Sequence, residues 1–184
     1  MKILLLDGTK KTSMSMVPMY LSQRYTTKVL GVISPDLDVL CQKYDSWSNV
    51  PEKEIIATMD QTISRVTNVI ESYDPDVIIG LEYGGCVLSN LVTDFYWNEN
   101  SIYLNPEGYF YSPKKQDLSS TDTPAGKSYW VLRKTDPLSV RKSIEKISHF
   151  KESTTILVSD NDGIDSIMSS NLLQTMIESC SLKQ

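Results

Sequence analysis

Short, unbroken apolar runs alternate along this chain with longer stretches in which apolar positions return every three or four residues. "KILLLD" at 2–7 has the pattern of a strand covered on both faces. A Lys/Thr/Ser loop follows, then "SMVPMYLSQRY", which predicts a short helix with Pro18 in its early part. "TKVLGVIS" at 27–34 predicts a second strand, stopped at Pro35-Asp36. Residues 35–51 read mostly as loop, with room for a turn of helix around Val39 to Tyr44. From 52 to 73 the period is helical: Ile56, Met59, Ile63, Val66, Ile70 and Tyr73 fall on one face. Asn49 and Glu52 suit a capping-box-like start, and Asp74-Pro75 ends the helix because proline disfavours a helical residue before it.

The same alternation continues. "DVIIGL" predicts a third, buried strand and "GGCVLSNLVTDFYW" a helix. "SIYLNP" at 101–106 is a fourth strand, and Glu107 to Lys127 a long excursion rich in Pro, Ser, Thr, Tyr and Gly. "SYWVLR" at 128–133 is a fifth strand, followed by the helix "SVRKSIEKISHF" with Val140, Ile144 and Ile147 on one face. "TTILVS" is a sixth strand and "GIDSIMSSNLLQTMIESC" a single closing helix. Strands and helices alternating at these lengths imply right-handed crossovers, hence an α/β three-layer, doubly wound sandwich on a mostly parallel six-stranded sheet.

Composition narrows the function classes. At 184 residues, 40% hydrophobic and 22% charged, the expectation is one globular domain over 1–184, with 107–127 as a long loop or cap-like excursion. A net charge of −5 argues against nucleic acid or an anionic membrane as partner, since both attract excess positive charge. Cys41, Cys86 and Cys180 form no CxxC pair and leave an odd number, which fits a reducing, cytoplasmic setting better than a disulfide framework. "MKILLLDGTKK" has too short an apolar run for a signal peptide, and no stretch approaches the roughly 20 residues of a membrane span.

The most informative stretch is "IIGLEYGGCVLSNLV" (78–92), an apolar strand, then Gly80, Glu82 and Gly84, then a helix. The spacing is G-x-E-x-G, and it resembles the G-x-S-x-G nucleophile elbow, a strand–turn–helix whose Ser attacks substrate. "LLLDGTKKTSMS" resembles the first-strand "HG" loop of α/β-hydrolases, with Asp7-Gly8 at that place. "SIYLNPEGYF" is similar to the strand after the elbow helix, "YWVLRKTDPLSV" to the strand and loop carrying the triad acid, and "LVSDNDGIDSI" to the turn carrying the triad His. As an ordered set covering the whole chain, these motifs resemble the minimal, lidless α/β-hydrolases, the short YqiA-like esterases above all. The resemblance implies strand order 2-1-3-4-5-6, a minimal α/β-hydrolase fold, and oxyanion-hole donors at the backbone of Thr9 and Tyr83.

Carried over by position, the triad is degenerate. Glu82 stands where Ser belongs, Asp136 keeps the acid position, and Asp162, in the His-free segment Asp160–Asp165, falls at the base. The chain's single His149 ends a helix that returns to the amino ends of the strands, away from such a site. Without His the Ser-His-Asp route is closed. A carboxylate nucleophile, as in haloalkane dehalogenases, is the alternative, but Glu is one methylene longer than the Asp used there, and misplacement of that size costs on the order of 100-fold in rate. Glu82 is instead long enough to fold back onto the N–H groups starting the next helix and fill the oxyanion hole. Cys86 and Ser89 are expected to point into packing.

Asp7, Glu82, Asp136, Asp160, Asp162 and Asp165 would converge at the carboxyl edge of the sheet, where like charges recruit a cation or raise their pKa values. A turn and helix cap at "DNDG", a basic partner group and a hard metal are the readings, in falling order, and no metal or cofactor is assigned. An EF-hand fails, because aligning Gly163 puts Val158 at the first ligand. Tyr103, Tyr109, Phe110, Tyr111 and Tyr129 offer contact surface around the excursion, or ordinary packing of it. The expectation is a pseudoenzyme binding a protein with a basic surface through this acidic, aromatic edge, with a homo-oligomer left open. The alternative is a divergent esterase-like or dehalogenase-like hydrolase using Glu82 and Asp136.

Overall fold

A computed structural model of the chain describes residues 1–9, 16–33, 39, 51–94, 96–106, 126–133, 152–158 and 164–181. Its strands are β1 (Lys2–Gly8), β2 (Thr26–Gly31), β3 (Val77–Glu82), β4 (Asn100–Leu104), β5 (Lys127–Arg133) and β6 (Glu152–Val158). Its helices are α1 (Val17–Ser22), α2 (Glu52–Tyr73), α3 (Tyr83–Thr93), α4 (Ile164–Ser169) and α5 (Leu172–Ser181). The six strands form one sheet in the order β2-β1-β3-β4-β5-β6, and every pair is parallel. The sheet predicted as mostly parallel is therefore wholly so among the described strands.

The alternating direction of side chains sorts the apolar runs onto two faces. Leu4, Leu6, Ile78, Tyr103, Trp130 and Leu132 meet α3 and the Met59, Ile63 and Val66 face of α2. Ile3, Leu5, Val77, Ile79, Leu81, Ile102, Leu104 and Val131 meet Val17 and Leu21 of α1, Ile167 of α4, and Leu173, Met176 and Ile177 of α5. Parallel β1 and β3 buried on both sides are what a continuous apolar run demands. Within the first layer, the Tyr103 and Trp130 rings, on paired residues of β4 and β5, stack at 3.6 Å and 2°. Such contacts are worth about 0.5–1.5 kcal/mol beyond burial.

Several local expectations are corrected. The N-cap of α2 is Pro51, with no side-chain cap, and Asn49 lies outside the described residues, so the capping box is not what starts this helix. Its amphipathic packing on the sheet supplies the stability instead. The closing helix is two helices. Asn171 takes φ 57 between α4 and α5, a left-handed conformation that Asn tolerates better than most residues. The helix α3 stops at Thr93 rather than running to Trp97, and β2 stops at Gly31. The helix expected over 139–150 falls outside the described residues.

The outer edge at β2 is tied to α2. Arg65 donates to the Gly31 carbonyl at 2.8 Å and the Tyr73 hydroxyl to the Thr26 carbonyl at 2.9 Å, while the Lys28 and Lys2 ammonium groups lie 5.5 and 5.9 Å from the Tyr73 ring centre. A lysine and an occupied carbonyl are common protections of a sheet edge. Among the described residues no helix is long and apolar enough to cross a membrane.

The contact between the start of α3 and the end of β1 sets the sheet's geometry. A Cβ added at Gly84 would stand 1.9 Å from the Leu6 carbonyl oxygen, whereas one added at Gly31 meets nothing within 4 Å. Gly84→Ala is therefore expected to cost at least about 3 kcal/mol or prevent folding, while Gly31→Ala stays within about 1 kcal/mol of wild type. Urea denaturation of both variants checks the contrast, and equal midpoints would contradict it.

Candidate functional site

Along the chain, β1 is followed by β2 on one side of the sheet, and then the path crosses back to build β3 through β6 on the other. The reversal falls between β1 and β3. In open parallel sheets a crevice opens outside the carboxyl ends of the strands at such a switch point, and ligands bind there. Here β1 ends in Asp7-Gly8 and β3 ends in Glu82, with Gly8 paired to Glu82 and Asp7 to Leu81. Topology alone brings together two of the acids singled out from the sequence.

No loop joins β3 to α3: Glu82 ends the strand and Tyr83 begins the helix. The whole change of direction is absorbed at Glu82, which takes φ 51 and ψ −116. For a residue with a Cβ this is a strained conformation, costing on the order of 1–3 kcal/mol, and it persists only where the surroundings impose it. The surroundings are visible. A Cβ at Gly8 would lie 2.1 Å from the Gly84 amide nitrogen, and one at Gly80 would lie 2.6 Å from the Gly84 carbonyl oxygen. Gly80, Gly84 and Gly8 thus let two backbones and a helix turn nearly touch, and Glu82 is bent to fit. The G-x-E-x-G spacing has this steric meaning.

Glu82 is half-buried, and its side chain makes no cap hydrogen bond to α3. A side-chain cap of that kind on the start of α3 is therefore not formed. The Asp7 side chain takes a backbone donor at this edge. Its Oδ1 accepts the Thr9 N–H at 3.0 Å and the Thr9 hydroxyl at 2.7 Å. A donor expected to face a substrate oxygen is turned onto the chain's own carboxylate. The signal was present in the sequence, since Asp two residues before Thr is the spacing of an Asx turn. The Asp7 carbonyl also accepts the Val32 N–H at 2.9 Å, fixing β1 to the segment after β2.

The helix behind this turn is inert. All of Tyr83 to Val92 is buried. Burial pushes the Cys86 thiol up to about 12, so it is neutral at physiological pH and no nucleophile. Ser89 is buried and donates to the Gly85 carbonyl at 3.0 Å. The Tyr83 hydroxyl reaches the Met59 sulfur at 3.9 Å, joining α3 to α2. Both thiol and hydroxyl were expected in packing, and both are there. On the other flank Pro106 abuts α3, with a Cβ at Gly85 falling 2.8 Å from its own Cβ. Asn105, at φ 49, turns the chain out of β4. The sequence reading treated Asn-Pro only as a strand end and missed its contact with α3.

Of the aromatic candidates among the described residues, Tyr103 is core rather than contact surface, and Tyr129 is only partly withdrawn. Tyr103 is fully buried against Trp130, and burial raises its phenol pKa, with Ser101 and Ser89 beside it partly offsetting the rise. Tyr129 is half-buried and accepts from the Ser179 hydroxyl at 2.8 Å. Asp165 lies in the first turn of α4, away from β1 and β3 in sequence; the other sequence candidates, Asp136, Asp160, Asp162, Tyr109, Phe110 and Tyr111, and His149 as well, lie outside the described residues. Among the described residues no three His, Cys, Asp or Glu side chains are grouped to hold a metal ion. No family model matches the chain, and neither a curated protein nor a solved structure matches it.

Two measurements test this geometry. Glu82→Gly frees the strained backbone and Glu82→Ala keeps the strain while removing the same carboxylate. The glycine variant should be the more stable by about 1 kcal/mol in urea, the reverse of the usual order at a strand end. The Cys86 thiol keeps its proton longer in the folded chain than in the unfolded one. That contribution is complete below the ordinary thiol value of 9.0 and is lost as pH rises from there toward about 12. Stability should therefore fall less steeply between those limits in Cys86→Ala than in wild type, and parallel pH profiles would show the thiol to be exposed.

Proposed function

We propose that this chain is a non-catalytic protein on an α/β-hydrolase-like scaffold, related to the short esterases, that binds a partner protein through the acidic carboxyl edge of its sheet. The observation that carries the reading is the strained turn at Glu82, φ 51 and ψ −116, held between Gly80 and Gly84. An elbow of this shape is costly to keep, and here it presents an anion rather than an alcohol. Beside it the Asp7 carboxylate takes the N–H and hydroxyl of Thr9. A tetrahedral oxyanion formed there would meet negative charge where hydrolysis needs a free donor.

Such an edge suits a lysine or arginine of a partner. Two half-buried carboxyl-bearing residues on neighbouring strand ends gain more from a desolvated cation than exposed acids do, because screening by water is weaker there. The rival reading draws on the same retained elbow, with Glu82 as a covalent nucleophile. A soluble, cytoplasmic setting belongs to the binding proposal, in line with the cysteine usage.

The two readings separate on 4-nitrophenyl acetate. The binding reading expects release no faster than buffer alone; turnover that Glu82→Gln abolishes would establish the nucleophile and overturn it. Binding itself is read on an immobilised oligo-arginine peptide at low salt. The Asp7→Asn/Glu82→Gln double variant should lose roughly tenfold in affinity, about 1.4 kcal/mol, while Asp60→Asn/Glu71→Gln, an equal charge change at two exposed positions of α2, should lose much less. Equal losses would mean that only net charge is being sensed.

A further inference from the structure

We draw no further inference here: the strongest candidate, the outer edge of β2 with exposed Val29, together with exposed Met16 and Met19 at α1, pairs with no further strand among the described residues, and nothing in the structure shows what covers it.

Discussion

The architecture depends on one close approach, that of the first turn of α3 to the carboxyl end of β1. The Leu6 carbonyl and the Gly84 backbone are so near that a single Cβ has no room between them. Because the helix must start there, β3 cannot spend a loop on reversing direction and does so at one residue. Because that residue lies between two glycines and beside a third, it is driven into a conformation that a side chain ordinarily resists. Helix α3 then lies flush along the sheet, which is why ten consecutive residues of it, 83 to 92, are buried. The strain at Glu82 and the compactness of the central layers have the same origin.

The site inherits its character from that arrangement. A strand end aimed into a crevice would suit an alcohol or thiol, and the nearby groups that meet that description are withdrawn: Cys86 and Ser89 face the interior. The residues that end β1 and β3 at this edge include the half-buried acids Asp7 and Glu82. Asp7 shows how a short polar segment settles its own hydrogen bonds, using the Thr9 amide and hydroxyl together. Both donors of Thr9 are thereby satisfied within the chain.

Much of the fold was legible because its signals are local. Apolar runs three to five residues long marked all six strands, and the three-and-four spacing from Ile56 to Tyr73 located α2 with its observed limits. The glycine spacing around Glu82 located the sharp turn. The failures occurred where local preference met a competing demand. A capping box is a favourable option, but Pro51 starts α2 without one, since packing against the sheet outweighs a cap. The closing helix reads as continuous by periodicity, yet Asn171 breaks it so that two short helices can both lie on β1, β3 and β4 side chains. For Tyr103 the sequence leaves contact surface and packing both open, and its strand register decides for packing, under α3 against Trp130.

By itself the sequence determined the class of fold, the positions of the strands, the turn at Glu82 and the absence of a histidine beyond His149. These follow from periodicity, glycine spacing and composition, which act within a few residues. Only the tertiary structure decided that Gly8, Gly80 and Gly84 share one steric requirement, and that the end of β1 lies against the turn at Glu82. Segments some 75 residues apart in the chain meet at that point. How closely the backbones of Gly8, Gly80 and Gly84 approach depends on ångström-scale distances across paired strands, and no linear pattern encodes those distances.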